Sequence, residues 1–314
     1  MKRILSVFAI LLALTFAFGS CAPKQQFITI ATGGTAGTYF PLGGAMAEIW
    51  QAEIPGMNAS AQATGASVAN VNLLKENNVD VIFVQNDIAY YAVNGLEMFA
   101  GNAFPDMRGF ATLYQETCQL IALASSGINS VADLRGKRVA VGAAGSGVEA
   151  NARQIMEAAG ISYADITVQY LSFAEAAANL KDGNVDAAFL TAGYPTSAVQ
   201  DIAASKAIVL VPLSQTIISA LIAKYPFYTQ QVVPANTYNG VGADVQTVAV
   251  KAMLAISSRL ENSVVEKMAS TLFASGERLT AAHRQGANIT IPNAQDGMSL
   301  PLHPGAERYY AAKR

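Results

Sequence analysis

Two cysteines, two histidines and one tryptophan are all that 314 residues contain, and only 13% of the chain is charged. Each scarcity removes a class of chemistry. His283 and His303 lie 20 residues apart with no cysteine or acidic cluster at metal-ligand spacing, so neither a metal site nor a cofactor is expected. The net charge is −2 and there is no basic patch, which excludes nucleic acid as a partner. No glycine-rich stretch ends in Gly-Lys-Ser/Thr, and none fits G-x-G-x-x-G with an acidic residue about 20 positions on, so mononucleotide and dinucleotide loops are both absent. A nucleophile elbow, G-x-S-x-G, is missing as well, and neither histidine has a sequence relation to GSG. No catalytic constellation remains, and the chain does not read as an enzyme.

Long apolar runs are scarce too. The one at residues 4–18 is short for a membrane span of about 20 residues. It follows Lys2 and Arg3 and ends at Gly19, Ser20 and Cys21, the layout of a processed secretion signal. FGSC resembles a bacterial lipoprotein cleavage box, which makes residues 1–20 the signal peptide, Cys21 the lipidated first residue and 21–26 a tether to the outer side of a membrane. An ordinary signal peptide with Cys21 incidental is the alternative. Removing the signal takes two cations and leaves a net charge of −4. Cys118 is then the only other thiol, which excludes an intrachain disulfide in a lipidated product and suits a buried apolar filler. The rest of the chain, 52% hydrophobic overall, is long enough for one large core or two ordinary ones.

What the chain does have is a strand, a Gly-rich loop and a helix start that occurs twice: ITIATGGTAGTYFPLGGAMAEIW (28–50) and RVAVGAAGSGVEANARQIM (138–156). Each copy would aim backbone N–H groups and the positive end of a helix at one small anionic or polar group. NLLKENNVDVIFVQ (72–85) aligns without a gap on ANLKDGNVDAAFLT (178–191), and Gly37 to Asp80 spans 43 residues where Gly147 to Asp186 spans 39. In both copies a helix ends at polar or Gly-type residues and a nearly all-apolar strand follows, as in a parallel sheet buried on both faces. Two related α/β lobes are expected, with Gln85 and Thr191 at equivalent strand ends facing a common cleft.

FATLYQETCQLIALA (110–124) mixes strand alternation with a polar centre, as a hinge strand would, and Pro212 marks the expected return crossing. From Ser214 onward, VAVKAMLAISSRLENSVVEKMASTLFASGERL reads as helical. The expected organisation is therefore lobe 1 from 27–116 and 214–314, and lobe 2 from 117–213.

The candidate ligand contacts follow from the loops and strand ends. In GGTAGTYF the amides around Gly37 stand with the hydroxyls of Thr35, Thr38 and Tyr39, which suits a carboxylate better than a polyphosphate. A tight turn using glycine for positive φ is the alternative. GAAGSGVE sets Gly145, Ser146 and Gly147 at a helix start, with Ser146 and Glu149 at capping-box spacing. Ser67 or Thr64 caps the helix after SAQATG, Gln85 and Thr191 end their strands, and Gly193 follows the second. Glu116, a charge inside an apolar strand, is either a ligand or hinge group or an acid satisfied locally. Asp87 reads as a helix N-cap, Glu149, Asn151 and Arg153 as cap and local pairs, and Tyr90 and Tyr91 as packing.

ATGGTAGTYFPLGG, TGASVANVNLL, VQNDIAYYA, ATLYQE, GKRVAVGAAGSGVEANARQIM, DAAFLTAGYPT, VPANTYNG and LHPGAERYY together resemble the TAXI-type extracytoplasmic solute receptors of TRAP transporters, from about Phe27 to Tyr310. The resemblance implies a type II periplasmic-binding-protein fold with two lobes, two hinge crossings and a solute cleft. It also implies TRAP membrane permease subunits as partners and glutamate, glutamine or dicarboxylate-like solutes. Family positions facing ligand match Thr38, Tyr39, Ser67, Gln85, Ser146, Gly147 and Thr191. A binding protein that presents its ligand to a membrane signalling partner is the alternative on the same fold.

Overall fold

The computed structural model describes residues 25–313. The expected signal segment, Cys21 and most of the tether lie outside them. The first half builds β1 (Gln26–Ala31), α1 (Tyr39–Glu53), β2 (Met57–Gln62), α2 (Ser67–Lys75), β3 (Val81–Gln85) and α3 (Asn86–Asn94). β1 pairs in parallel with both β2 and β3. A 17-residue strand, β4 (Met107–Leu123), then leads into the second unit. There β5 (Arg138–Ala140), α4 (Gly147–Ala158), β6 (Thr167–Gln169), α5 (Phe173–Lys181) and β7 (Ala187–Ala192) repeat the pattern, with β5 parallel to β6 and β7.

The repetition extends to single hydrogen bonds. Thr29 N donates to Asp80 Oδ2 at 2.9 Å while Asp80 N donates to Thr29 O at 3.0 Å. In the second unit Arg138 N donates to Asp186 Oδ2 and Asp186 N to Arg138 O, both at 2.8 Å. One carboxylate locks the equivalent strand pair in each lobe, as the ungapped alignment of Asp80 on Asp186 leads one to expect.

After α6 (Ser197–Ser205) and β8 (Ile208–Val211) come α7 (Gln215–Lys224), β9 (Thr229–Val233) and the 13-residue β10 (Val245–Ser257). β4 and β10 are antiparallel and run through both lobes. β10 pairs β3 in the first and β9 in the second, while β4 pairs β7 and β8 in the second. Their facing pairs Glu116↔Val250 and Thr117↔Ala249 set the two crossings side by side.

This position differs from the expected one. Ile218 and Leu221 of α7 pack with Leu120, Val139 and Ile155, and Val233, Tyr238 and Val245 pack with Ile121 and Leu210. Residues 214–249 therefore sit on the second lobe, and the chain returns near Val250 rather than at Pro212. The segment VAVKAMLAIS, expected as helix, is β10. A run apolar at nearly every position has no period to separate a strand buried on both faces from a buried helix. α8 (Asn262–Ala274), α9 (Gly276–Ala282) and α10 (Pro304–Ala311) do wrap back onto the first lobe. There Met268 O accepts from the buried Trp50 Nε1 at 3.0 Å and Phe110 O from Tyr310 Oη at 2.7 Å.

Candidate functional site

Five helices begin at one cavity between the lobes. Its wall includes Thr38 and Tyr39 at the start of α1, Ala66 and Ser67 at α2, and Gln85 before α3. From the second lobe come Ser146 and Gly147 at α4, and Ser172 and Phe173 at α5. With the lobes in this arrangement the cavity is small, about 70 Å³. First-turn amides have no helical acceptor and the helix dipole adds partial positive charge, so the convergence favours an anion. Among the described residues no Lys, Arg or His lines the cavity, and Glu116 supplies the one carboxyl group of its wall. Some amides are already committed: Val68 N and Ala69 N of α2 donate to Gly145 O at 3.1 and 3.0 Å, and Glu149 N of α4 to Ser146 Oγ at 3.2 Å.

Glu116 lies at the hinge, 2% exposed, and accepts from Tyr39 Oη at 2.8 Å on Oε2. Burial pushes its carboxyl up to about 8, against the Tyr39 hydrogen bond and with help from the negative charge of Asp87. Burial likewise pushes Asp87 up to about 6, opposed by hydrogen bonds from Ile88 N and Asn151. Gln85 is also buried, and its Oε1 has no hydrogen-bond partner. A polar group left this way costs about 1–3 kcal/mol, which a ligand donor in the cavity could recover.

The lobes are in contact around this space. Thr38 Oγ1 donates to Gly193 O at 3.2 Å, Ser197 Oγ to Ala36 O at 2.7 Å and Gln285 Nε2 to Tyr194 O at 2.8 Å. Asn151 Nδ2 on α4 reaches Asp87 Oδ2 on α3 at 3.2 Å and Tyr228 Oη at 2.8 Å, and Tyr228 Oη donates to Gln154 Oε1 at 2.6 Å. Asp87 is thus not the N-cap expected of it, since Gln85 holds that position and the Asp87 carboxylate bridges the lobes. Asn151 is not confined to local pairing for the same reason. Close approach needs glycine at two points, because a Cβ on Gly147 would lie 2.1 Å from Gln85 Oε1 and one on Gly193 2.4 Å from Gln285 Cγ.

Of the residues picked from the sequence, the cavity wall brings together Gly37, Thr38, Tyr39, Ser67, Gln85, Glu116, Ser146, Gly147 and Thr191. Thr35 is exposed and Gly145 and Gly193 stand off the wall, where the carbonyls of both glycines accept hydrogen bonds across the cleft. Ser67 Oγ accepts from Gln85 N at 3.2 Å instead of capping its own helix, and the Thr64 hydroxyl accepts from Ala66 N at 3.1 Å. Ser172 and Phe173 escaped the sequence reading. Their signal was present in Ser172 and Glu175, whose capping-box spacing the structure fulfils. The link from Asp87 to Asn151 joins residues 64 apart and has no local pattern.

Among the described residues no group of three His, Cys, Asp or Glu could hold a metal ion, and no helix is long and apolar enough to cross a membrane. The fold is a two-lobe α/β periplasmic-binding-protein fold with two hinge crossings. A protein from Listeria monocytogenes described as an L-cystine ABC transporter matches with a TM-score of 0.52 at 17% identity, over 84% of this chain and 98% of its own. The alkanesulfonate-binding protein SsuA from Xanthomonas axonopodis pv. citri, bound to MOPS, matches at 0.46 and 17% identity, over 92% and 85%. At such identity the likeness conveys the fold alone. The sequence matches the NMT1-like family over residues 30–313. These findings overturn the resemblance to TAXI-type receptors of TRAP transporters, and with it TRAP permease subunits as partners; the lipid anchor expected at Cys21 falls outside the described residues. Because the match spans nearly all of the described residues, the chain belongs to the NMT1-like family.

Proposed function

We propose that this chain is an extracytoplasmic solute-binding protein that closes its two lobes on a small carboxylate and delivers it to a membrane transporter. The observation that carries the reading is the convergence of five helix starts on one cavity with no cationic side chain in its wall. Such a site holds a carboxylate through amides and hydroxyls, each hydrogen bond worth about 0.5–1.5 kcal/mol and up to about 3 kcal/mol with a charged acceptor. Bond strength is then spread over Ser67, Ser146 and the loop amides rather than concentrated in one ion pair. The transporter in this reading is an importer of the ABC class, the class named for the Listeria protein that shares the fold.

A thermal-shift screen of amino acids, mono- and dicarboxylates, sulfonates and neutral sugars tests this. A ligand at 100 times its Kd is expected to add about 2.7 kcal/mol of stability. At least one carboxylate should do so. A screen in which only uncharged sugars shift the transition overturns the reading.

A further inference from the structure

The cavity is electrically lopsided in a way that carboxylate binding alone does not use. Helix starts surround it, yet its hinge side carries a buried acid. The ionisable groups interacting with Glu116 are Tyr39 from α1, Asp87 from α3, and Tyr114 and Cys118 from β4, with the amide of Gln85 alongside. All are acids or neutral. A ligand bearing only carboxylates would leave this acid uncompensated, whereas one bearing a carboxylate and an ammonium meets the helix starts with the first and Glu116 with the second.

We propose that Glu116 is the counter-charge for an ammonium group of the solute, so that the site selects α-amino acids over carboxylic acids of the same shape and releases a proton on binding them. The inference rests on the cavity being a carboxylate site. With the lobes closed and no solute between them, burial holds the Glu116 proton in place up to about pH 8. An ammonium within hydrogen-bond reach favours the ionised carboxylate, and the proton leaves to solvent. Affinity therefore climbs with pH through 6 to 8 by up to about tenfold per unit, the linkage expected for one proton.

The test is calorimetry of the purified protein at pH 7 in phosphate and in Tris, using the L-α-amino acids and the carboxylic acids that lack only their amino group. For a pair that binds, the amino member should be at least about tenfold tighter, since that is the scale of one well-placed charge pair. Its heat should differ between the buffers as proton release requires, and that of the deaminated member should not. Glu116→Gln should abolish the preference and the buffer difference. Equal affinity within pairs, or a preference that survives Glu116→Gln, overturns the inference and leaves the carboxylate site standing. Silence from both members of every pair overturns the carboxylate site and this inference together. The comparison within wild type depends on no variant folding correctly.

Discussion

Gly147→Ala is expected to weaken solute binding by roughly two orders of magnitude, about 2.7 kcal/mol, while the ligand-free protein keeps its fold. The added methyl would lie 2.1 Å from Oε1 and 2.5 Å from Cδ of Gln85, atoms that belong to the other lobe. Either Gln85 swings into the cavity or the lobes stay apart, and each outcome removes part of the site. The helix itself tolerates the change. Gly147 is the first residue of α4 and is not left-handed, so alanine has no strain to pay for there. Gly44→Ala is the control, because a Cβ at that position meets nothing within 4 Å. Calorimetry with the best ligand from the screen, alongside melting curves, separates the cases. Unchanged binding by Gly147→Ala would mean that α4 and Gln85 do not approach in the bound protein.

A second large effect is expected in how the stability of the closed form varies with pH. Burial between the closed lobes pushes the Glu116 carboxyl from 4.5 up to about 8, so between these values the closed chain holds a proton that the unfolded chain has lost. Its contribution is present in full below about pH 4.5 and is lost as pH rises to about 8. Asp87 acts in the same direction from 3.8 to about 6. His283 and His303, both held below the usual histidine range by burial, work in the opposite sense, with stability falling as pH drops through their unfolded value. The measurement is therefore a difference: denaturant unfolding of wild type and Glu116→Gln at pH 5 and pH 8. The variant should gain on wild type by an amount on the order of a few kcal/mol between these pH values, because a neutral amide has no charge to bury. A constant difference across the range would show that Glu116 is ionised and solvated in the folded protein.

The parts of this architecture that could be read from residues alone were the ones written locally. Gly33 to Tyr39 and Gly142 to Gly147 encode strand, loop and helix start within a dozen residues, and the paired Asp80 and Asp186 betray the repeat. Those signals sufficed for two α/β lobes and for nine of the cavity's nineteen lining residues. The course of the chain after Ser214 was not legible, because VAVKAMLAIS offers neither alternation nor a 3.6-residue period, and its identity as a crossing strand depends on pairing with β4, more than 120 residues earlier. Thr35 looked like a ligand hydroxyl since it lies in the glycine loop, yet the turn closed by Gly37 N on Gly34 O leaves it exposed. Burial is what gives Glu116 its character, and burial is a property of the assembled lobes. The partner class rested on resemblance rather than on any residue chemistry, and it is the reading that the comparisons overturned.

Small-angle scattering of the protein with and without a saturating carboxylate or amino-acid ligand tests most directly whether the two lobes close on a solute. Bonds such as Val68 N and Ala69 N to Gly145 O, and Thr38 Oγ1 to Gly193 O, span the cleft and define the closed form. The ligand-free protein should scatter as a more open particle, with its radius of gyration falling on ligand addition to that of the closed form. An identical radius in both states, with the ligand shown by calorimetry to be bound, would contradict closure around a solute.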